Sequence, residues 1–373
     1  MPFFCLLTCI GCGQGHSDKL PEVKNLIYLI GDGMGLAQMT MLEIEHDYAP
    51  TAFSEAEHIA LITTRSANNR VTDSAAGGTA LACGAKTNNS RLGLSPDSVR
   101  LTSMMEMARD KGMATGLVVS CYLQHATPGA FYAHQTGRHL YDAITDDLVA
   151  SRFDVMIGGG TRWLTDAHRT SLTEQGYTLA FTREEALAAT QTPLLAMVEP
   201  EYLPHAPERG DFIPQATAKA LELLSQDEEG FMLMVEGSQI DGAGHGNDAR
   251  YLLAEMEDFE KVVRLAVDFA DTHPGTLVVV VADHETGGLS MPSGKSDFTL
   301  SESGIDYRFG TGSHSAIRVP AYLYGTGSGC FKAMMDNTEL ANRIMELMKL
   351  KVESLELKVF CRGFSRSTKK IGR

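Results

Sequence analysis

The chain is poor in positive charge. Its 32 Lys and Arg face 47 Asp and Glu, for a formal net charge of −15. That deficit excludes binding of nucleic acid through a broad basic surface, and it repels anionic substrates at long range. Any chemistry on phosphate must therefore work through a locally positive site, built from metal ions or a buried arginine. Cross-linking is scarce too. The cysteines at 5, 9, 12, 83, 121, 330 and 361 make no dense disulfide framework, and Cys9-x-x-Cys12 has no second pair to complete a zinc site. Beyond the first residues no apolar run is long enough to span a bilayer. Two nucleotide loops are also missing. Gly31-Asp-Gly-Met-Gly35 is followed by Leu36 where the dinucleotide fingerprint needs glycine, and Ser293-Gly-Lys-Ser296 lacks the glycine at 289 that a Walker loop requires.

What is present suits a globular protein with a sizeable core: 373 residues, 43% of them hydrophobic, and a mean hydropathy of −0.10. The segment Phe3 to Gly13 is apolar and small-residue-rich but has no basic start. It reads as the core of an export signal within residues 1–20, and Cys9 or Cys12 is a candidate for lipid attachment. The expected location is periplasmic or secreted, with a lipoprotein anchor as a variant. Residues 21–350 read as the catalytic domain and 351–373 as a basic tail, with no Asp or Glu from Lys358 to Arg373.

Strands are expected at Asn25 to Ile30, Ile59 to Thr63, Thr115 to Val119, Asp154 to Ile157, Phe231 to Val235, Leu277 to Val281 and Ala321 to Tyr324. Several are continuously apolar and β-branched, as strands buried on both faces are. Helical patterns lie between them, at Thr102 to Lys111, Gln215 to Leu224 and Ala249 to Asp271; in the last, Leu252, Leu253, Met256, Phe259, Val262, Val263, Ala266 and Val267 recur at helical steps. This alternation predicts an α/β fold: a mainly parallel central sheet flanked by helices on both faces, in three layers. Thr192 to Pro214, with five prolines, reads as a loop or cap, and Ser290 to Gly312 as a surface excursion.

Ligands of open parallel sheets bind beyond the carboxyl ends of the strands. Asp32, Glu236 and the pair Asp283-His284 each follow a buried strand, so three strands deliver carboxylates to one edge. Carboxylates gathered in one place repel one another and resist ionising, and metal cations are the usual remedy. Asp241 and His245, four apart, can reach one ion across a helical turn. His314 lies on a glycine-flanked loop. Mixed oxygen and imidazole ligands suit zinc, and all-oxygen sets suit magnesium. His16, His46, His58, His139, His168, His205 and His273 read as ordinary surface or core residues. In Val71-Thr-Asp-Ser-Ala-Ala-Gly-Gly-Thr-Ala80, Thr72 or Asp73 can cap a helix whose first turn holds Ser74. A helix start offers free N–H groups to a phosphoryl group. No serine–histidine pair is evident along the sequence, so a metal ion is the natural activator of the hydroxyl.

Together, Asp32 in Ile30-Gly-Asp-Gly-Met-Gly35, Asp73-Ser74-Ala75, Glu236-Gly-Ser-Gln-Ile-Asp241, Ala282-Asp-His-Glu-Thr-Gly-Gly288 and Gly312-Ser-His314 resemble the motifs of alkaline phosphatases, in family order. The likeness is to the smaller bacterial members that lack large insertions. It implies two Zn2+ and one Mg2+ per subunit. Asp241, His245 and His314 resemble the first zinc site, and Asp32, Asp283 and His284 the second. Asp32, Thr127 and Glu236 resemble the magnesium site, with His125 as an indirect neighbour. Arg138 matches the arginine that clamps phosphate, held by Asp73, with Ser74 as the nucleophile. Gly242 stands where many relatives carry Lys, His or Trp. The resemblance implies hydrolysis of small phosphate monoesters by two in-line steps through a phosphoserine. It also implies broad specificity, an alkaline pH optimum and a homodimer. Alternatives are a phosphodiesterase of the same superfold, or a catalytically weak protein that binds metal and phosphate.

Overall fold

A computed structural model describes residues 20–294 and 304–351. The segment expected to be an export signal, with Cys5, Cys9, Cys12 and His16, the tail from Lys358 with Cys361, and Lys295-Ser296 lie outside the described residues.

The strands in chain order are β1 (Asn25–Gly31), β2 (His58–Thr63), β3 (Ala114–Tyr122), β4 (Val155–Gly159), β5 (Thr178–Ala180), β6 (Leu194–Met197), β7 (Phe231–Gly237), β8 (Thr276–Val281), β9 (Glu285–Thr286), β10 (Leu289–Ser290), β11 (Arg308–Phe309), β12 (His314–Ser315), β13 (Val319–Gly325) and β14 (Met334–Asp336). Ten of them form one sheet in the order β14-β2-β13-β8-β1-β7-β3-β4-β6-β5, all parallel except β13. Helices cover both faces, as a parallel sheet requires. One group holds Leu36–Glu45, Phe212–Leu224 and Ala249–Thr272; the other holds Ser74–Cys83, Met104–Asp110, Ala126–Gly129 and Asn337–Leu347. The apolar runs are consumed by this double coverage. Leu277 through Val281 in β8 and Met232 through Val235 in β7 are wholly buried. Each such side chain stabilises the fold by about 1.5–3 kcal/mol relative to exposure. Helix Ala249–Thr272 packs its predicted apolar stripe inward, and Asp248 caps it by accepting from Tyr251 N at 2.9 Å.

One stretch departs from expectation. Thr192 to Pro214 is no simple loop: Leu194–Met197 is strand β6, inserted between β4 and β5, and a second helix start follows at Phe212. Pro193, Pro200 and Pro204 lie outside these elements, while Pro207 and Pro214 sit in the first turns of helices Ala206–Arg209 and Phe212–Leu224, where a missing N–H costs nothing. Ser290 to Gly312 keeps its excursion character where described, with β11 pairing back on β10.

The sheet positions the site by its register. β1 lies between β7 and β8, and Ile30 is level with both Glu236 and Val281. The carboxylates just beyond therefore emerge at one height. The space beyond the carboxyl ends of the strands is the usual ligand crevice of an open parallel fold.

Candidate active site

Asp32, Glu236 and Asp283 are completely buried at this edge, and each leaves one oxygen unpartnered: Asp32 Oδ1, Glu236 Oε1 and Asp283 Oδ2. An orphaned carboxylate oxygen in the interior is costly, so some group is expected to meet it. Without a cation that group is a proton. Burial, then repulsion from Asp241 and Glu236, pushes Asp283 up to about 8, and burial pushes Glu236 up to about 7 against hydrogen bonds from its neighbours. Asp32 is raised well above its ordinary value, by burial first and then by Asp283, Asp241 and Glu236.

The imidazoles around them point their Nε2 atoms inward. His245 Nδ1 meets Gly312 O at 2.9 Å, and His314 Nδ1 meets Thr72 O at 2.8 Å. A carbonyl only accepts, so both rings carry their proton on Nδ1. Their Nε2 atoms then face each other at 3.2 Å, with Asp241 oxygens at 3.3 and 3.5 Å; the hydrogen bond to Asp241 pushes His245 up to about 9, so in the cation-free chain a proton occupies this gap. A divalent cation would take the place of that proton between the two nitrogens, and a carbonyl behind each ring is how proteins aim metal-binding histidines.

His284 is held the same way. Thr286 Oγ1 donates to Asp241 Oδ1 at 2.5 Å and so accepts from His284 Nδ1 at 3.1 Å. That leaves His284 Nε2 with a lone pair facing Asp283 Oδ2 at 3.2 Å, Asp32 Oδ1 at 3.4 Å and Ser74 Oγ at 3.2 Å. Burial, then His314, holds this imidazole far below its usual value, so it is neutral and these contacts are not ion pairs. The sequence shows no serine–histidine pair, but the fold makes one. It is not a catalytic triad. A triad sets its carboxylate on the far nitrogen of the ring. Here both carboxylates crowd the nitrogen that faces the serine, which is the convergence of ligands on one ion.

Ser74 opens helix Ser74–Cys83. Asp73 caps it, accepting from Ala76 N at 3.0 Å through Oδ1, while its Oδ2 accepts from Ser90 N at 2.9 Å and from Arg138 Nη1 at 3.3 Å. One carboxylate thus fixes both the helix start and the guanidinium. Arg138 Nη2 also donates to His125 Nε2 at 3.3 Å. Thr127 Oγ1 lies 3.4 Å from Asp32 Oδ2. The structure therefore brings together every predicted site residue: two clusters of Asp241-His245-His314 and Asp32-Asp283-His284, each with donor atoms within 4.8 Å of one another, and Thr127, Glu236, Arg138, Asp73 and Ser74 around them. The residues fit divalent cations.

Some contributors escape a sequence reading. Thr286 stands inside the quoted motif, but nothing in the string shows its hydroxyl joining Asp241 to His284. Cys121, read only as one cysteine among seven, places Sγ 3.4 Å from Glu236 Oε2. Gly33, at φ +77°, lies where a Cβ would come within 2.9 Å of Asp241 Cα and of Thr286 Oγ1, so a side chain there would push the clusters apart. At Gly242, by contrast, a Cβ would meet only Tyr251 Oη, at 3.9 Å.

Comparison with known proteins agrees with this geometry. The sequence profile of the family described as alkaline phosphatase matches residues 23–306. Alkaline phosphatase 3 of Bacillus subtilis is 31% identical, over 91% of this chain and 91% of its own length. The structure of alkaline phosphatase from the Antarctic bacterium TAB5 superposes with a TM-score of 0.83 at 35% identity, covering 90% of this chain and 100% of that one. A variant of that enzyme, with Mg bound in the site termed M3, superposes at 0.82, with 34% identity over 89% of this chain and 99% of its own.

Proposed function

The chain belongs to the alkaline phosphatase family, and from that premise we propose that it hydrolyses phosphate monoesters through a covalent phosphoserine on Ser74 beside two zinc ions. The observation that carries the reading is the placement of Ser74 Oγ. It sits at a helix N-terminus, 3.2 Å from a neutral, inward-facing His284 Nε2 and beside carboxylate oxygens that have no partner.

Asp241, His245 and His314 would hold one zinc, and Asp32, Asp283 and His284 the other. Asp32, Thr127 and Glu236 would face a third divalent cation, which the family resemblance gives as Mg2+. Bound there, such cations acidify the serine hydroxyl and neutralise charge on the leaving oxygen. The rest is the work of side chains. Ser74 Oγ attacks phosphorus in line, the bond to the ester oxygen breaks, and the alcohol leaves with a proton. Arg138, oriented by Asp73, holds two phosphoryl oxygens with its fork, and the free N–H groups of the helix start face the same charge. Water then cleaves the phosphoserine from the opposite side and restores the hydroxyl. Because these groups grip the phosphate and not the alcohol, the range of leaving groups is broad. The buried acids must lose protons before cations load, which favours alkaline pH. Export to the periplasm or medium, lipid attachment at Cys9 or Cys12, and a homodimer complete the proposal.

The test is turnover of p-nitrophenyl phosphate by the full chain and by Ser74→Ala, with zinc content measured in both. The expected result is a loss of about 1,000-fold or more in rate with zinc retained. Equal rates would overturn the covalent step. Faster cleavage of the bis-ester than of the monoester would move the chain to the phosphodiesterase reading.

A further inference from the structure

Two of the three candidate metal positions use oxygen and imidazole donors alone. The third does not. Cys121, at the site end of β3, brings its sulfur within 4.8 Å of a Glu236 oxygen and a His125 ring nitrogen, and Sγ contacts Glu236 Oε2 directly at 3.4 Å. Cys121 and Glu236 are completely buried and His125 is 7% exposed. The thiol is not alone in pointing to a ligand. The other oxygen of the same carboxylate, Glu236 Oε1, is buried without a partner. The strand is shaped for this: the register of β3 on β4 shifts between Val118 and Tyr122, an irregularity of the kind that re-aims side chains next to active sites.

Resting on the reading above that the cluster binds divalent cations, we propose that Cys121 is a ligand of the third cation. This makes the position a mixed sulfur and oxygen site that prefers Zn2+ or Co2+ to Mg2+. Hard Mg2+ takes near-ideal octahedral oxygen ligands and avoids thiolate, whereas zinc and cobalt accept sulfur readily. On binding, the Sγ–H bond breaks, its proton passes to solvent, and sulfur donates to the metal. His125 stays outside the ligand set. Its Nε2 accepts from Arg138, so its proton lies on Nδ1 and neither ring nitrogen is free to take a metal.

The experiment strips the full-length protein with a chelator and reloads it stepwise with Co2+. The near-ultraviolet spectrum is followed in the wild type, Cys121→Ala and Cys121→Ser. Filling of the third equivalent in the wild type should produce a sulfur-to-cobalt charge-transfer band, absent in both variants. Separately, the wild type offered Zn2+ with excess Mg2+ should retain three zinc ions per chain. The variants should retain two and take up Mg2+, a change in preference of at least about the tenfold that loss of even an outer ligand partner costs. Identical cobalt spectra in wild type and variants, or a wild type holding two zinc and one magnesium, would overturn the proposal. A wild type that binds no cations would overturn the underlying metal reading instead. The competition on wild type needs no variant to fold.

Discussion

Among the described residues, two clusters of buried acid are resolved in opposite ways. Under helix Ala249–Thr272, Glu255 and Asp258 are met by the equally buried Arg209. Its Nη1 and Nη2 reach Glu255 at 3.0 and 2.6 Å, Nη2 reaches Asp258 at 2.6 Å, and Ala206 N adds a bond to Glu255 at 2.8 Å. At the sheet edge Asp32, Glu236 and Asp283 have no such counter-ion. The guanidinium nearest to hand, Arg138, is engaged with Asp73. A buried charge paired and hydrogen-bonded by the chain itself is structure; a buried cluster left short of positive charge is a vessel for something that arrives later. The difference teaches where to look for function: among acids that the fold declines to neutralise.

The comparison can be broken experimentally. The largest effect should come from removing cations. Chelation of the loaded protein should abolish phosphatase turnover and lower the melting temperature, and zinc should restore both, whereas the Arg209 cluster should be indifferent to chelator. Activity that survives exhaustive chelation, verified by metal analysis, would erase the distinction. Next in size is Arg209→Met, which strands Glu255 and Asp258. It should cost about 3–5 kcal/mol in denaturant unfolding of the metal-free chain. A smaller effect is expected at Thr286→Val, which unlatches His284 from Asp241. Zinc affinity should fall about 10–100-fold with the fold intact, read by competition with a chromophoric chelator.

The smallest effect has the most telling sign. In the cation-free chain Asp283 is raised from 3.8 to about 8. A raised acid binds its proton more tightly when folded, so its stabilising contribution is complete below the unfolded value and is lost as pH climbs from about 4 through about 8. Asp283→Asn should flatten that decline and stabilise the metal-free chain by something on the order of 1 kcal/mol at pH 9, while weakening zinc retention. A destabilised metal-free variant at that pH would show that Asp283 is already satisfied by the protein.

Much of this was legible beforehand, for physical reasons. Strands buried on both faces write themselves as apolar runs, so β1, β7 and β8 could be located with the acids that terminate them. Short elements carry no such signature. β5 and β14 are three residues each, and β6 is a four-residue run amid prolines, too short for a periodicity to mark them. Within the site, the residues that stand in motifs converge in space, while no motif marks a part for Thr286 or Cys121. Their parts depend on distances across separations of 45 and 115 residues, to Asp241 and to Glu236.

By itself, then, the sequence determined the periodicities that make a helix-covered parallel sheet, and which ionisable side chains end its central strands, because both are properties of residues near one another along the chain. Only the tertiary structure decided that Ser74 meets His284, that the Nε2 atoms of His245 and His314 confront each other, and that a thiol stands against the Glu236 carboxylate. Those facts arise from strands and loops far apart in the chain being set at a common height, and register of that kind is not encoded in any local stretch.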